Sequence, residues 1–110
     1  QYNQNKGSQN NNGIDYETPV GSPVKAVAKG TVVLISDIVG GNGKIVLIRH
    51  DDELITIYGR LTNIIIENGQ KVIQGQKIGE VIKDTQTNKG TMHFEVRKGM
   101  KSIDPETMIR

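Results

Sequence analysis

Apolar and polar side chains alternate most regularly in residues 91–97. Successive side chains on a β-strand point to opposite faces, so Met92, Phe94 and Val96 are expected to share an apolar face. The residues between them are expected to share a polar face, and the alternation predicts a half-buried strand. The segment holds the only Phe of the chain and one of its two His residues. The segment is therefore predicted to be a core strand that also carries the functional site.

Short runs rich in Val and Ile recur along the rest of the chain, separated by turns that contain Gly. Such runs are typical of strands, and no window shows the 3.6-residue apolar period of a long helix. The predicted strands are residues 24–28, 31–36, 44–50, 54–58, 63–66, 71–73, 77–82 and 92–97. The pattern predicts an all-β protein whose sheets are closed or packed face to face, because open edges promote aggregation.

Two dipeptides, Asn42-Gly43 and Asn68-Gly69, give the strongest turn signals in the sequence. Asn and Gly tolerate the positive φ of a tight hairpin turn, so each dipeptide is predicted to join neighbouring antiparallel strands. Residues 40–44 superficially resemble a phosphate-binding loop. Because no helix start or Ser/Thr follows the Lys, a glycine-rich hairpin is the better interpretation.

The N-terminal residues differ in composition from the rest of the chain. Residues 1–13 are dominated by Asn, Gln, Gly, Ser and Lys. They bury too little apolar surface to offset the entropy of ordering, so they are predicted to form a mobile N-terminal segment. Residues 14–110 are predicted to form a single domain. Near its end, Asp104 and Pro105 predict one short helical turn.

The charge balance and residue usage exclude several classes of function. The chain has 14 Lys and Arg against 12 Asp and Glu, and no basic run with aromatic neighbours, so no nucleic-acid partner is predicted. A weak attraction to acidic polymers stays open. The absence of Cys excludes a disulfide framework and a cysteine metal site. No run of about 18 apolar residues is present, so no membrane span is predicted in this chain.

Four segments, in order, resemble the LytM-type (lysostaphin-like) zinc metallopeptidase domain. They read GIDYETPVGSPV at residues 13–24, TIYGRL at 56–61, NGQKVIQGQKIG at 68–79 and MHFEVR at 92–97. The resemblance covers roughly residues 11–109. It implies antiparallel sheets in a LytM-type barrel-sandwich arrangement with a central groove.

The resemblance also implies a set of site positions. In that family zinc is held by the His and Asp of an H-x-x-x-D motif and the second His of an H-x-H motif, which match Asn11, Asp15 and His93. Two further His residues act on the attacking water, and they match Thr91 and Arg60. An Asn amide is a poor substitute for imidazole, and an Arg cation opposes metal entry. We therefore expect no metal, no cofactor and no catalysis.

The degenerate members of that family, the NlpD/EnvC-like murein hydrolase activators, resemble this chain more closely than the enzymes do. The resemblance implies a non-enzymatic activator of N-acetylmuramoyl-L-alanine amidases in cell wall remodelling and division, located in the periplasm or cell envelope. Direct binding to peptidoglycan stays open. Arg60 is expected to form an ion pair with Asp15 or Glu95. The predicted partner-binding groove is lined by Asn11, Asp15, Tyr58, Arg60, Thr91, His93 and Glu95.

Two alternative functions stay open. The first is a residual zinc-dependent peptidoglycan endopeptidase, in which a ligand from the Asn-rich N-terminal segment completes the metal site. The second is a carrier, because the hairpin at residues 69–78 also resembles that of biotinyl and lipoyl domains. Such carriers present a modifiable Lys at a hairpin tip, and neither Lys44 nor Lys83 has the flanking residues expected there.

The local pattern also allows simpler roles for several polar residues. His93 can be one polar position of an amphipathic strand, and Asp15 can cap a turn. His50 lies outside the matched motifs and is predicted to have a structural role. Residues 51–53 are three acids in a row without the spacing of a calcium-binding loop, so they are predicted to form a solvated turn.

Overall fold

The structure, a computed structural model, describes residues 13–84, 87–98 and 101–103. The strands are β1 (Ile14–Thr18), β2 (Pro23–Lys25), β3 (Gly30–Asp37), β4 (Lys44–Arg49), β5 (Leu54–Thr62), β6 (Lys71–Val72), β7 (Lys77–Val81), β8 (Gly90–Lys98) and β9 (Lys101–Ile103). They pair antiparallel in the order β1-β8-β5-β4-β3-β6, with β2 on β7, β7 also on β5, and β9 on β8. The predicted all-β antiparallel class is confirmed.

The strand predicted from the alternating segment lies between β1 and β5 and is longer than predicted. Phe94 is 5% exposed and Val96 is 1% exposed, and Met92 packs against the same core. Phe94 stands opposite Ile14 on one side and Tyr58 on the other. The predicted apolar face of this strand is therefore confirmed.

The core lies on one face of β3, β4, β5 and β8. Its buried members are Val24, Ala26, Val32, Val46, Ile48, Tyr58, Leu61, Ile66, Val72, Ile78, Val81, Phe94 and Val96. The rings of Tyr58 and Phe94 meet at a tilted angle, with centroids 5.5 Å apart. Burying each large side chain contributes about 1.5–3 kcal/mol, so this face holds the strands together.

Two predicted turns are present where the sequence indicated them. The Asn42-Gly43 dipeptide belongs to the loop of the β3–β4 hairpin, which the Ile38 amide closes by donating to the Gly43 carbonyl at 2.9 Å. Gly43 has a φ of +91°, which a glycine adopts without steric cost. Residues 51–53 form a single 3-10 turn with Asp51 and Glu53 exposed, as predicted for a solvated turn.

The predicted strand at residues 63–66 is wrong. Asn63 has a φ of +50°, and this left-handed residue ends β5 and turns the chain out of the sheet. The following Asn68-Gly69 turn therefore does not join neighbouring paired strands, since β6 pairs with β3. The Gly69 amide instead donates to the Val32 carbonyl of β3 at 2.7 Å. The Ile-rich composition indicated a strand, but backbone geometry decided otherwise.

The sequence also failed to indicate β1, because IDYET contains a single aliphatic residue and leads into Pro19. This strand forms by pairing with β8 along its whole length. The predicted helical turn at Asp104 and Pro105 lies outside the described residues, as does all of the predicted mobile segment except the buried Gly13. No helix in the described part of the chain has the length and hydropathy needed to cross a membrane.

Candidate functional site

The candidate site is built on the row of residues where β1, β8 and β5 lie side by side. His93 stands directly opposite Asp15 on β1 and Gly59 on β5. Directly opposed residues on antiparallel strands present their side chains on the same face. A Cβ at Gly59 would lie 3.3 Å from the His93 Cβ, so the glycine leaves room for the imidazole. Neighbouring strands thus bring Asp15 and His93 together.

Both ring nitrogens of His93 contact carboxylates. Nδ1 lies 2.6 Å from Asp15 Oδ1, and Nε2 lies 3.2 Å from Glu95 Oε1. Ionised carboxylates only accept hydrogen bonds, so an imidazole that serves both must donate from both nitrogens and carry a positive charge. The hydrogen bond to Asp15, followed by that to Glu95, raises the pKa of His93 to about 9 against the opposing effect of burial. His93 is therefore an imidazolium at neutral pH.

The two carboxylates are stabilised in their ionised forms. The hydrogen bond from His93 lowers the pKa of Asp15, and the charges of His93 and Arg60 act in the same direction against burial. Burial is the largest influence on Glu95 and raises its pKa, but contacts with His93 and Arg97 together outweigh it and the net pKa is lowered. Arg97 Nη2 lies 3.2 Å from Glu95 Oε2. Negative and positive side chains thus alternate through the cluster, in the order Asp15, His93, Glu95 and Arg97.

Arg60 lies at an irregularity in β5. Its φ of +68° is unusual for a residue with a side chain, and the β4–β5 register shifts at this point. The predicted ion pair of Arg60 with Asp15 or Glu95 is wrong: no such pair within 4.0 Å occurs among the described residues. Asp15 and Glu95 contact His93 instead, so Arg60 acts on Asp15 only through its charge.

Tyr58 does not line the groove, and its predicted place there is wrong. Its side chain is 0% exposed and points to the core, because it is adjacent to Gly59 and strand neighbours face opposite ways. The phenol oxygen accepts a hydrogen bond from the Val27 amide at 3.1 Å and lies 2.8 Å from Thr56 Oγ1. Burial raises the pKa of this phenol. Tyr58 is a structural residue.

Of the two remaining predicted site residues, Thr91 lies within the described part of the chain and Asn11 does not. Thr91 is half-buried on β8, two residues before His93 and opposite Glu17 of β1. Alternation places Thr91 on the face that carries His93 and Glu95. Asn11 lies outside the described residues, so its predicted position in the groove stays a prediction.

Sequence reasoning missed two residues of the cluster. Arg97 holds Glu95 in place, and its own Nε is buried without a hydrogen-bond partner in the described part of the chain. Gly59 provides the space beside His93. The alternation of β8 placed Arg97 on the polar face and could have indicated it. Nothing in the local sequence marks Gly59, because its role depends on the strand next to it.

His50 directly follows the C-terminal end of β4, away from this cluster. Its Nδ1 donates to the Lys29 carbonyl at 2.6 Å, and its Nε2 lies 2.8 Å from Thr56 Oγ1. These contacts join the start of β3 to β5 and lead on to the Tyr58 phenol. The predicted structural role of His50 agrees with this arrangement.

The described residues do not by themselves form a catalytic zinc site. The described part of the chain contains no group of three or more His, Cys, Asp or Glu side chains placed to hold a metal. Asp15 and His93, which match zinc ligands, are hydrogen-bonded to each other, and Glu95 contacts the second ring nitrogen. A zinc-bound imidazole must be neutral and offer a free lone pair. The nearby charge of Arg60 further opposes a dication.

Comparison with known proteins gives consistent family matches. The model of peptidase family M23 matches residues 9–105. A protein of Pseudomonas aeruginosa, named lipoprotein NlpD/LppB homolog, is 37% identical over 95 residues, which cover 86% of this chain and 32% of that protein. The murein hydrolase activator NlpD of Escherichia coli is 33% identical over 95 residues, with 86% and 25% covered. The chain thus spans a third or less of these relatives.

Solved structures confirm the predicted LytM-type fold. The catalytic domain of the prophage-encoded M23 protein EnpA from Enterococcus faecalis, in a mutant form, superposes with a TM-score of 0.78 at 31% identity, covering 96% of this chain and 85% of that one. The catalytic domain of lysostaphin from Staphylococcus simulans gives 0.76 at 24% identity, covering 88% and 77%. None of these matches supports the carrier alternative.

Proposed function

This chain belongs to peptidase family M23, and on that premise we propose that it is a non-enzymatic activator of N-acetylmuramoyl-L-alanine amidases in cell wall remodelling and division. Relatives named murein hydrolase activators support a role at the cell wall. A relative named as a lipoprotein supports a location in the periplasm or cell envelope. The proposal requires that the family's metal site has become a protein-binding groove.

One observation carries the proposal: His93 is held between two carboxylates, at 2.6 Å and 3.2 Å. In this arrangement each ring nitrogen of His93 faces a carboxylate, which supports a binding role over zinc-dependent hydrolysis. Glu95 is further held by Arg97 at 3.2 Å. The cluster therefore presents fixed charges of both signs, which suit recognition of a partner.

Apolar side chains continue from the charged cluster across the same face of the sheet. Glu95 stands opposite Ile57, Ile57 opposite Leu47, and Leu47 opposite Leu34, so the four side chains form a row across β8, β5, β4 and β3. Leu34 is 41% exposed, Leu47 is half-buried and Ile57 is only 5% exposed, so Leu34 and Leu47 supply the accessible apolar surface. An apolar strip beside fixed charges favours a segment that presents both kinds of side chain, such as an amphipathic regulatory helix of an amidase.

Arg60 is the proposed anchor for that partner. It is half-buried, its guanidinium has no carboxylate within 4.0 Å among the described residues, and it lies beside the Asp15–His93 pair. Arg is enriched among the residues that dominate binding energy at interfaces. We therefore infer that Arg60 takes up an acidic group of the amidase, while Asp15, Thr91 and His93 form the surrounding contact.

The test is activation of a purified amidase on purified murein. Arg60→Ala is expected to reduce activation about 10-fold or more, since truncating such an anchor typically costs about 2 kcal/mol. Lys25→Ala on β2 is the control, because it also removes one cation but lies outside the groove. Activation by Arg60→Ala that equals the wild type would contradict the groove as the docking site.

The zinc endopeptidase remains a second candidate, supported by the match to the EnpA catalytic domain over 96% of this chain. It needs a ligand from the N-terminal residues to replace the missing His. Metal analysis of the purified protein separates the two functions. One tightly bound zinc per chain together with murein cleavage in the absence of an amidase would establish the enzyme and remove the activator proposal.

A further inference from the structure

We propose that this protein has a second binding site, a basic cleft that takes the free carboxylate at the end of a peptide whose last side chain is small and aliphatic. The basic cleft has a volume of about 370 Å³ and is lined by Lys29, Thr31, Arg49, Lys71, Val72 and Ile73, together with His50 and Asp51. This inference goes beyond the activator function, because none of these residues belongs to the groove around His93.

Strand register gathers the cations of the basic cleft. Thr31 on β3 stands opposite Arg49 on β4 and opposite Lys71 on β6. Directly opposed residues share a face, and neighbouring strands lie about 4.8 Å apart, so the two cations flank the Thr31 side chain. Lys29 precedes β3 by one residue and lines the same cleft. Three cations from three parts of the chain thus line the same cleft as the Thr31 side chain.

These cations lack the carboxylate partners that other cations of the chain have. Lys44, Lys77 and Lys89 each pair with a carboxylate at 2.6–3.1 Å. No such pair is formed by Lys29, Arg49 or Lys71 within the part of the chain that the structure describes. Gathering like charges without counter-charges is unfavourable, and a bound anion relieves the repulsion.

The other polar side chains of the cleft do not neutralise it. Asp51 supplies one carboxylate against three cations. His50 is committed elsewhere, because its Nδ1 donates to the Lys29 carbonyl and its Nε2 contacts Thr56. The cleft therefore keeps an excess of positive charge among its lining residues.

The walls of the cleft decide which anion fits best. A carboxylate matches the planar fork of Arg49, which can donate two parallel hydrogen bonds. The Thr31 hydroxyl offers a further donor. Beside these donors lies the side chain of Ile73, which is 69% exposed, whereas that of Val72 is turned into the core. A carboxylate that carries an aliphatic group one bond away meets both surfaces, as the last residue of a peptide does when its side chain is small and apolar.

The basic cleft lies on the same face of the sheet as the groove but at a distance from it. Arg49 stands opposite Ile55, and Ile55 opposite Arg97, so this row is parallel to the one through His93. The path from His93 to Thr31 runs four residues along β8 to Arg97 and then across three strand spacings to β3. At about 3.3 Å per residue and about 4.8 Å per strand, the two residues lie about 20 Å apart. Failure of either site can therefore be detected independently of the other.

The test is a titration of the isotope-labelled full chain followed by NMR, with N-acetyl-Ala-Ala, its C-terminal amide and inorganic phosphate as probes. We expect the free acid to shift the backbone amide signals of Thr31, Arg49 and Lys71, and to bind at least 10-fold more tightly than the amide or phosphate. Equal binding of acid and amide would overturn the carboxylate assignment. Phosphate that binds as tightly as the acid would overturn the role of the apolar wall.

Matched variants locate the binding. Arg49→Ala combined with Lys71→Ala is expected to weaken N-acetyl-Ala-Ala at least 10-fold, whereas Lys44→Ala, which also removes a strand cation, leaves it unchanged. Both residues of the double variant are exposed, and unchanged His93 signals verify the fold. Arg49→Lys keeps the charge without the fork and should give an intermediate loss. Wild-type affinity in the double variant would overturn the site. Arg60→Ala should bind the peptide normally, whatever it does to amidase activation.

Discussion

The left-handed backbone at Arg60 allows stability and partner binding to be separated by two substitutions. A residue with a side chain at a φ of +68° carries strain of about 1–2 kcal/mol, which glycine does not. Glycine also makes the unfolded chain more flexible, at a cost of about 0.4–1 kcal/mol. Arg60→Gly should therefore stabilise the fold by roughly 0.5–1 kcal/mol, the difference between these terms. Arg60→Ala keeps the strain and should change stability little.

Thermal unfolding and amidase activation measure the two effects separately. For a domain of this size, 1 kcal/mol corresponds to about 4 °C in Tm, so Arg60→Gly should melt about 2–4 °C above Arg60→Ala. Both variants remove the guanidinium, so both should lose activation to the same extent. A groove that depended only on backbone shape would instead show different activation by the two.

Glu53→Gly serves as the control for the backbone effect. Glu53 has a φ of +62°, is exposed and precedes the opposite end of β5. The substitution should raise Tm by a similar amount and leave activation unchanged. The reasoning about strain is refuted if Arg60→Gly melts below Arg60→Ala. The reasoning about the anchor is refuted if Arg60→Gly activates the amidase as well as the wild type does.

Three further predictions concern the core, the charged cluster and the pairing of β1 with β8. Tyr58→Phe removes a buried hydroxyl with two hydrogen-bond partners, so urea unfolding should show a loss of about 1–3 kcal/mol, while activation per folded molecule stays normal. Folding raises the pKa of His93 from 6.5 to about 9. The protonated imidazole therefore stabilises the fold fully below pH 6.5, and this stabilisation is lost as the pH rises through 9. Because its carboxylate partners are partly exposed, the contribution is limited to about 1 kcal/mol. In Asp15→Asn, unfolding measured across this range should show a smaller dependence on pH. Gly90→Ala places a Cβ 2.3 Å from the Thr18 carbonyl oxygen, so β1 must move off β8, and urea unfolding should show a loss of about 2 kcal/mol or more; unchanged stability would contradict that contact.

The sequence by itself determined the features that depend on neighbouring residues. Alternation in residues 91–97 specified a strand with Phe94 and Val96 in the core, because side-chain direction on a strand has a period of two. The Asn42-Gly43 hairpin followed from the positive φ that these residues tolerate. The resemblance of four segments identified the fold. It also placed Tyr58 in the groove, although the same alternation, applied from Gly59, puts its side chain in the core.

Only the tertiary structure decided what the site contains. Asp15 contacts His93 across 78 residues of sequence because β1, which has little strand signal of its own, pairs with β8. Asn63 took a strand-like segment out of the sheet, and Arg60 was left without the ion pair expected of it. The basic cleft likewise depends on three strands meeting in one register. Local pattern governs each strand, whereas charges from distant strands become neighbours only through pairing, which the pattern does not encode.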